Sequence, residues 1–84
     1  MNAQRLTRLA RIYAEARNIT MGSLGTYLVR DAYFFDRLAT GRVTIRRAER
    51  ALQWLSDHWP AGLDWPADIE RPPPGAGAEP GEAA

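Results

Sequence analysis

The stretch TMGSLGTYLVRDAYFFDRLATGR, Thr20 to Arg42, decides how the rest of the chain is read. It holds two short apolar-periodic segments separated by about three residues. Thr20 stands where a helix N-cap is wanted, because its hydroxyl can accept from a free first-turn amide. Leu24 and Leu28 lie four apart, so Met21 to about Leu28 reads as one short helix. After Val29 and Arg30, Asp31 offers a second N-cap whose charge suits the positive end of a helix. Ala32 to about Thr40 reads as the next helix, and Gly41 falls where a left-handed C-cap residue is expected. Phe35 and Leu38, three apart, are its expected core face, which leaves Tyr33 and Phe34 at its exposed N-terminal end. Both rings also fit a core or a dimer interface. Gly25 would cost a free-standing helix about 1 kcal/mol against Ala, so it points to a close approach of two helices.

The flanking sequence is helical as well. Upstream, Leu6, Leu9, Ala10, Tyr13 and Ala16 trace one face of a helix that Asn18 ends, and Arg5, Arg8, Arg11 and Arg17 lie off that stripe as a solvated face. Downstream, Thr44 can cap a last helix, Ile45 to Trp59, with Ile45, Ala48, Leu52, Leu55 and Trp59 on one face and Pro60 as its stop. No segment alternates with the period of a strand. The expected architecture is all-α, a small four- or five-helix domain over residues 1–60. Residues 61–70, with Leu63, Trp65 and Ile69, are an extension that packs on the domain or on a dimer partner. Residues 71–84 are Pro, Gly, Ala and Glu around one Arg and read as a disordered acidic tail.

Charge divides along the same lines. Residues 1–60 carry ten arginines against five acids, and residues 61–84 carry one against five. A basic domain suggests a polyanionic partner, nucleic acid before an acidic protein or a membrane surface. The 84 residues include no Cys, which removes disulfides, thiolate metal sites and Cys nucleophiles and fits a cytoplasmic address. There is one His, His58, best read as a favourable charge near a helix C-terminus. No Gly-rich phosphate loop, metal-ligand set or paired carboxylates stand out, so no catalytic residue, metal or cofactor is expected.

The spacing of Thr20, Leu24, Gly25, Leu28, Phe35, Leu38 and Gly41 resembles the helix-turn-helix of lambda-repressor-like (xenobiotic-response-element-type) DNA-binding proteins. The closing TIRRAERALQWL resembles the helix that follows the recognition helix in that family, so the likeness covers roughly residues 5–57. Two positions depart from it: Met21 stands where a polar residue is usual, and Val29 stands where the turn often has Gly. The resemblance implies a sequence-specific regulator of transcription, a repressor, that reads the major groove of double-stranded DNA with the helix at 32–40. Ala32, Tyr33 and Phe34 would meet base edges, and Arg37 could donate two hydrogen bonds to a guanine. Thr20, Ser23, Arg42, Thr44, Arg46 and Arg47 would hold phosphates. A homodimer reading two half-sites is expected, with Trp54, Trp59, Leu63, Trp65 and Ile69 as its contact residues. The alternative is a helical protein-binding adaptor, or an antitoxin-like protein, anchored by Tyr33, Phe34 and the Trp-containing extension.

Overall fold

A computed structural model describes residues 2–75. Among these it is all-helical: α1 (Ala3–Arg17), α2 (Met21–Val29), α3 (Phe34–Ala39) and α4 (Ile45–His58). Each of the long helices starts on a side-chain cap. The Asn2 carboxamide oxygen accepts from the Gln4 and Arg5 amides at 2.7 and 3.3 Å, one turn before the apolar stripe begins. The Thr20 hydroxyl accepts from the Ser23 amide at 3.0 Å, and the Thr44 hydroxyl accepts from the Arg47 amide at 3.2 Å, as expected of both threonines. These bonds satisfy first-turn donors that the helix itself leaves free.

The helix ends are equally specific. Asn18 adopts the left-handed conformation (φ 58°) and closes α1. Gly41 (φ 73°) ends the turn after α3, with the Arg42 amide donating back to the Arg37 carbonyl at 2.8 Å. Between α2 and α3, the left-handed residue is Arg30 (φ 58°), not Val29, which stays in the last turn of α2. The departure at Val29 therefore carries no strain; a modest strain falls one residue later, on Arg30.

The core draws on every element: Leu6, Leu9, Ala10, Tyr13 and Ala14 from α1, Leu24 and Leu28 from α2, Phe34 and Leu38 from α3, and Ala48, Ala51 and Leu55 from α4. Three expected positions move. Ala14 takes the place assigned to Ala16, because the stripe of α1 continues four residues on from Ala10 rather than six. Ile45 is 75% exposed, because the first turn of α4 projects beyond the packed stripe, and Ala51 carries the face instead. The third correction matters most: Phe34 is fully buried, whereas Phe35 is only half-buried and sits edge-on to it at 4.9 Å.

Where α3 begins explains the exchange. The Asp31 carboxylate accepts from the Tyr33 amide at 2.9 Å and the Asp31 carbonyl accepts from the Phe34 amide at 3.1 Å. Ala32 and Tyr33 are therefore a turn, and the helix starts at Phe34 rather than at Ala32. From that start Phe34 and Leu38, four apart, share the inner face. Gly25 makes room for this turn. A Cβ on Gly25 would stand 2.5 Å from the Asp31 carbonyl oxygen and 3.3 Å from the Phe34 Cβ.

The chain after α4 folds back onto its own domain. Trp59 and Ile69 are buried in the core, and Leu63 and Trp65 pack against it half-buried. Both indole N–H groups are used: Trp59 donates to the Leu63 carbonyl at 2.8 Å and Trp65 to the Ile69 carbonyl at 2.7 Å. The rings of Trp59 and Trp65 meet edge-on at 4.8 Å, and Tyr13 lies edge-on to Trp54 at 5.5 Å. Arg8 Nη2 reaches both oxygens of Asp68 at 2.6 Å, which holds the Asp68 carboxyl below the usual carboxylate range.

Arg71 continues the strap. Its guanidinium covers the Trp65 ring at 5.3 Å and donates to the Ser56 hydroxyl and carbonyl oxygens at 3.1 and 2.8 Å. Ser56 in turn donates to the Pro72 carbonyl at 2.5 Å, and Gln53 donates to the Pro73 carbonyl at 3.0 Å. The tail expected from residue 71 is thus bonded to α4 as far as Gly75; its remainder, 76–84, lies outside the described residues. Trp59 and Ile69, expected at a dimer contact, are spent inside the monomer instead. No helix among the described residues is long and apolar enough to cross a membrane.

Candidate nucleic-acid interface

The start of α3 and the start of α4 frame an open cleft of about 440 Å³. Its walls are Arg37, Arg42, Arg46, Arg47 and Arg50, with Asp31, Phe34, Val43 and Thr44 between them. The local folding that gathers them is simple. Gly41 turns the chain back after α3, which brings Arg42 beside Arg37. Thr44 then starts α4, and Arg46, Arg47 and Arg50 follow on adjacent turns of one helix face.

Among the described residues, only Arg37 of these five has a carboxylate partner. It pairs through Nη1 with Asp31, whose side chain is 12% exposed, while Arg37 itself is 51% exposed. Asp36, the adjacent acid, is exposed and makes no such pair. Like charges about 8 Å apart in water repel by roughly 0.5 kcal/mol, so a cleft lined this way is relieved by a polyanion laid along it. Salt bridges formed there with phosphates would be charge-assisted and, for arginine, two-pronged.

The residues expected to contact DNA fall into two neighbouring groups. Arg37, Arg42, Thr44, Arg46 and Arg47 line the cleft. Thr20 and Ser23 stand at the start of α2, their hydroxyls 3.1 Å apart. The turn before α3 lies beside that end: a Cβ on Gly22 would be 3.6 Å from the Ala32 carbonyl oxygen and 3.9 Å from the Thr20 hydroxyl. Ala32 and Tyr33 are exposed on this turn, Tyr33 at 66%. Phe34 is the exception, since a ring with no exposed surface cannot reach a base edge.

Three members of the cleft, Asp31, Val43 and Arg50, are not among the contacts expected from the sequence. Arg50 was legible, because it follows Arg46 and Arg47 at helical spacing. Asp31 was read as a helix cap alone, and its pairing with Arg37 depends on the turn between them. Away from the cleft, Tyr27 is 58% exposed and lies near Trp54, whose ring stacks on His58 at 4.0 Å.

No cluster of three or more potential metal-ligating side chains occurs among the described residues. Comparison with protein-family models, with characterised proteins and with solved structures finds no match to this chain.

Proposed function

We propose that this chain binds double-stranded DNA and regulates transcription by occupying its site, as a repressor. The observation that carries this reading is the arginine cleft, placed beside the exposed turn at Ala32 and Tyr33 that leads into α3. In this reading α2, the turn at 30–33 and α3 act as a helix-turn-helix of the lambda-repressor-like kind. The turn bearing Ala32 and Tyr33 enters the major groove together with Arg37 of α3. Arg42, Arg46, Arg47 and the hydroxyls of Thr20, Ser23 and Thr44 lie on backbone phosphates on either side. The close packing at Gly25, the caps at Thr20 and Thr44 and the left-handed Gly41 all support it.

A symmetric dimer would give this small unit enough contact area for a specific site. With Trp59 and Ile69 inside the core, Trp54, Leu63 and Trp65 remain as the half-buried contributors to such a contact. The adaptor reading loses Phe34 to the same core, while Trp65 is half-buried and Tyr33 is largely exposed.

The test is the salt dependence of binding to a fluorescent duplex. Each neutralised phosphate contributes about −0.9 to the slope of log K against log salt. The triple variant Arg42→Ala, Arg46→Ala, Arg47→Ala should therefore bind with a slope about 2.7 shallower than the parent protein. An unchanged slope in the triple variant would remove the cleft from the interface.

A further inference from the structure

Resting on the DNA-binding reading, we infer that Asp31 is a positioning residue that sets Arg37 to read a guanine rather than a phosphate. Asp31 and Arg37 are six residues apart and meet across the turn before α3. One Asp31 oxygen, Oδ1, accepts from the Tyr33 amide at 2.9 Å, and the other, Oδ2, accepts from Arg37 Nη1. The carboxylate is thus fixed at both oxygens and is 12% exposed, while the arginine it holds is 51% exposed.

Two consequences follow from this geometry. First, only one nitrogen of the guanidinium is engaged. Nε and Nη2 have no partner among the described residues, and two N–H donors in one plane are what guanine O6 and N7 accept. A long side chain held in place beforehand loses less freedom on binding, so its hydrogen bonds count more fully toward affinity for the right base. Second, Asp31 offsets the charge of Arg37. Phosphate attraction rises with unpaired positive charge, so a paired Arg37 adds little to binding of arbitrary DNA. Arg42, Arg46, Arg47 and Arg50 have no such partner among the described residues and supply that general attraction. The acid beside Arg37 in sequence, Asp36, is exposed and does not share this role.

The experiment selects binding sites from a randomised duplex pool with the full chain, then measures affinity and salt slope on the selected and scrambled duplexes. Asp31→Asn keeps an oxygen to accept the Tyr33 amide and removes the charge. It should lower the preference for one guanine about tenfold. Its affinity for scrambled duplex should rise, and its slope there should steepen by about 0.9 as Arg37 becomes free for a phosphate. Arg37→Lys keeps the charge and the ion pair but loses the planar fork, and should lose the same guanine preference. That variant keeps the inference testable if Asp31→Asn does not fold. A merely structural role for Asp31 would lower the melting temperature without moving base preference or slope. If Arg37→Lys loses the guanine while Asp31→Asn retains it with an unchanged slope, the positioning role is overturned and the DNA reading stands. If neither variant changes base preference, Arg37 reads no base and the inference fails. If the parent protein binds no duplex, the DNA reading itself fails.

Discussion

Phe34→Ala should destabilise the protein by about 3–5 kcal/mol, the usual cost of emptying a fully buried aromatic site. A chain of this length has a total stability of about 5–10 kcal/mol, so the variant should be largely unfolded on mild heating. Phe34 is fully buried where α3 meets α2 at Gly25, and its ring supports Phe35 edge-on. The two flanking aromatics calibrate the result. Tyr33→Ala, on an exposed residue, should change stability by less than about 0.5 kcal/mol, and Phe35→Ala should fall between the two. Urea unfolding followed by circular dichroism measures all three. An order with Phe35→Ala the most damaging would put the start of α3 two residues earlier and return Phe34 to the surface.

Gly25→Ala is the second large effect, and its sign is contrary to helix propensity. Ala is the better helix former by about 1 kcal/mol, so the substitution would stabilise an isolated α2. Here the new Cβ would lie 2.5 Å from the Asp31 carbonyl oxygen. That oxygen belongs to the backbone and already accepts the Phe34 amide, so it cannot rotate aside as the tip of a flexible side chain would. The turn must shift as a unit, which draws Phe34 and the Asp31–Arg37 pair with it. Overpacking of this kind costs about 1–3 kcal/mol, and a net loss of about 2 kcal/mol lowers the melting temperature of a domain this size by roughly 10 °C. Calorimetry that found Gly25→Ala more stable than the parent would show that α2 and α3 do not cross closely.

These two residues also show how much could be read from the chain alone. Gly25 was legible, because a glycine inside a strong apolar helix pattern needs a packing reason. Thr20, Thr44 and Gly41 were legible for the same kind of reason, since each residue type suits one place at a helix end. The choice between Phe34 and Phe35 was not. Two rings in succession lie three and four residues before Leu38, and both spacings put a residue on the inner face of a helix. What separates them is the first residue of the helix, set by the Asp31 carboxylate taking the Tyr33 amide. The strap was legible only as an extension packing on the domain or on a partner, and its course was not, for another reason. Residues 60–75 have no periodicity, and their place is fixed by indole-to-carbonyl bonds, by Arg71 on Ser56 and by Arg8 on Asp68, sixty residues away. Of the candidate interface, the arginines after Gly41 could be assembled from spacing; the pairing of Arg37 with Asp31 could not, because it spans a turn whose conformation comes from packing.

The strap also bears on what remains available for a partner. With Trp59 and Ile69 committed to the core, the largely exposed apolar side chains among the described residues are Tyr27, Tyr33 and Ile45. Tyr33 lies in the chain between Asp31 and Phe34 of the cleft lining, and Ile45 opens the helix that supplies three of its arginines. Tyr27 instead lies by Trp54 and Arg50. A DNA interface and a protein interface would thus use different aromatic residues, Tyr33 and Tyr27, with Arg50 common to both.

That difference makes one measurement decisive: backbone amide NMR shifts of the full chain as a duplex selected for binding is added. The DNA-binding account predicts the largest changes at 20–23, 31–33, 37 and 41–47, with Tyr27, Trp54 and the strap at 60–75 little affected. Changes centred on Tyr27 and Trp54, or no change at duplex concentrations well above the apparent Kd, would contradict it.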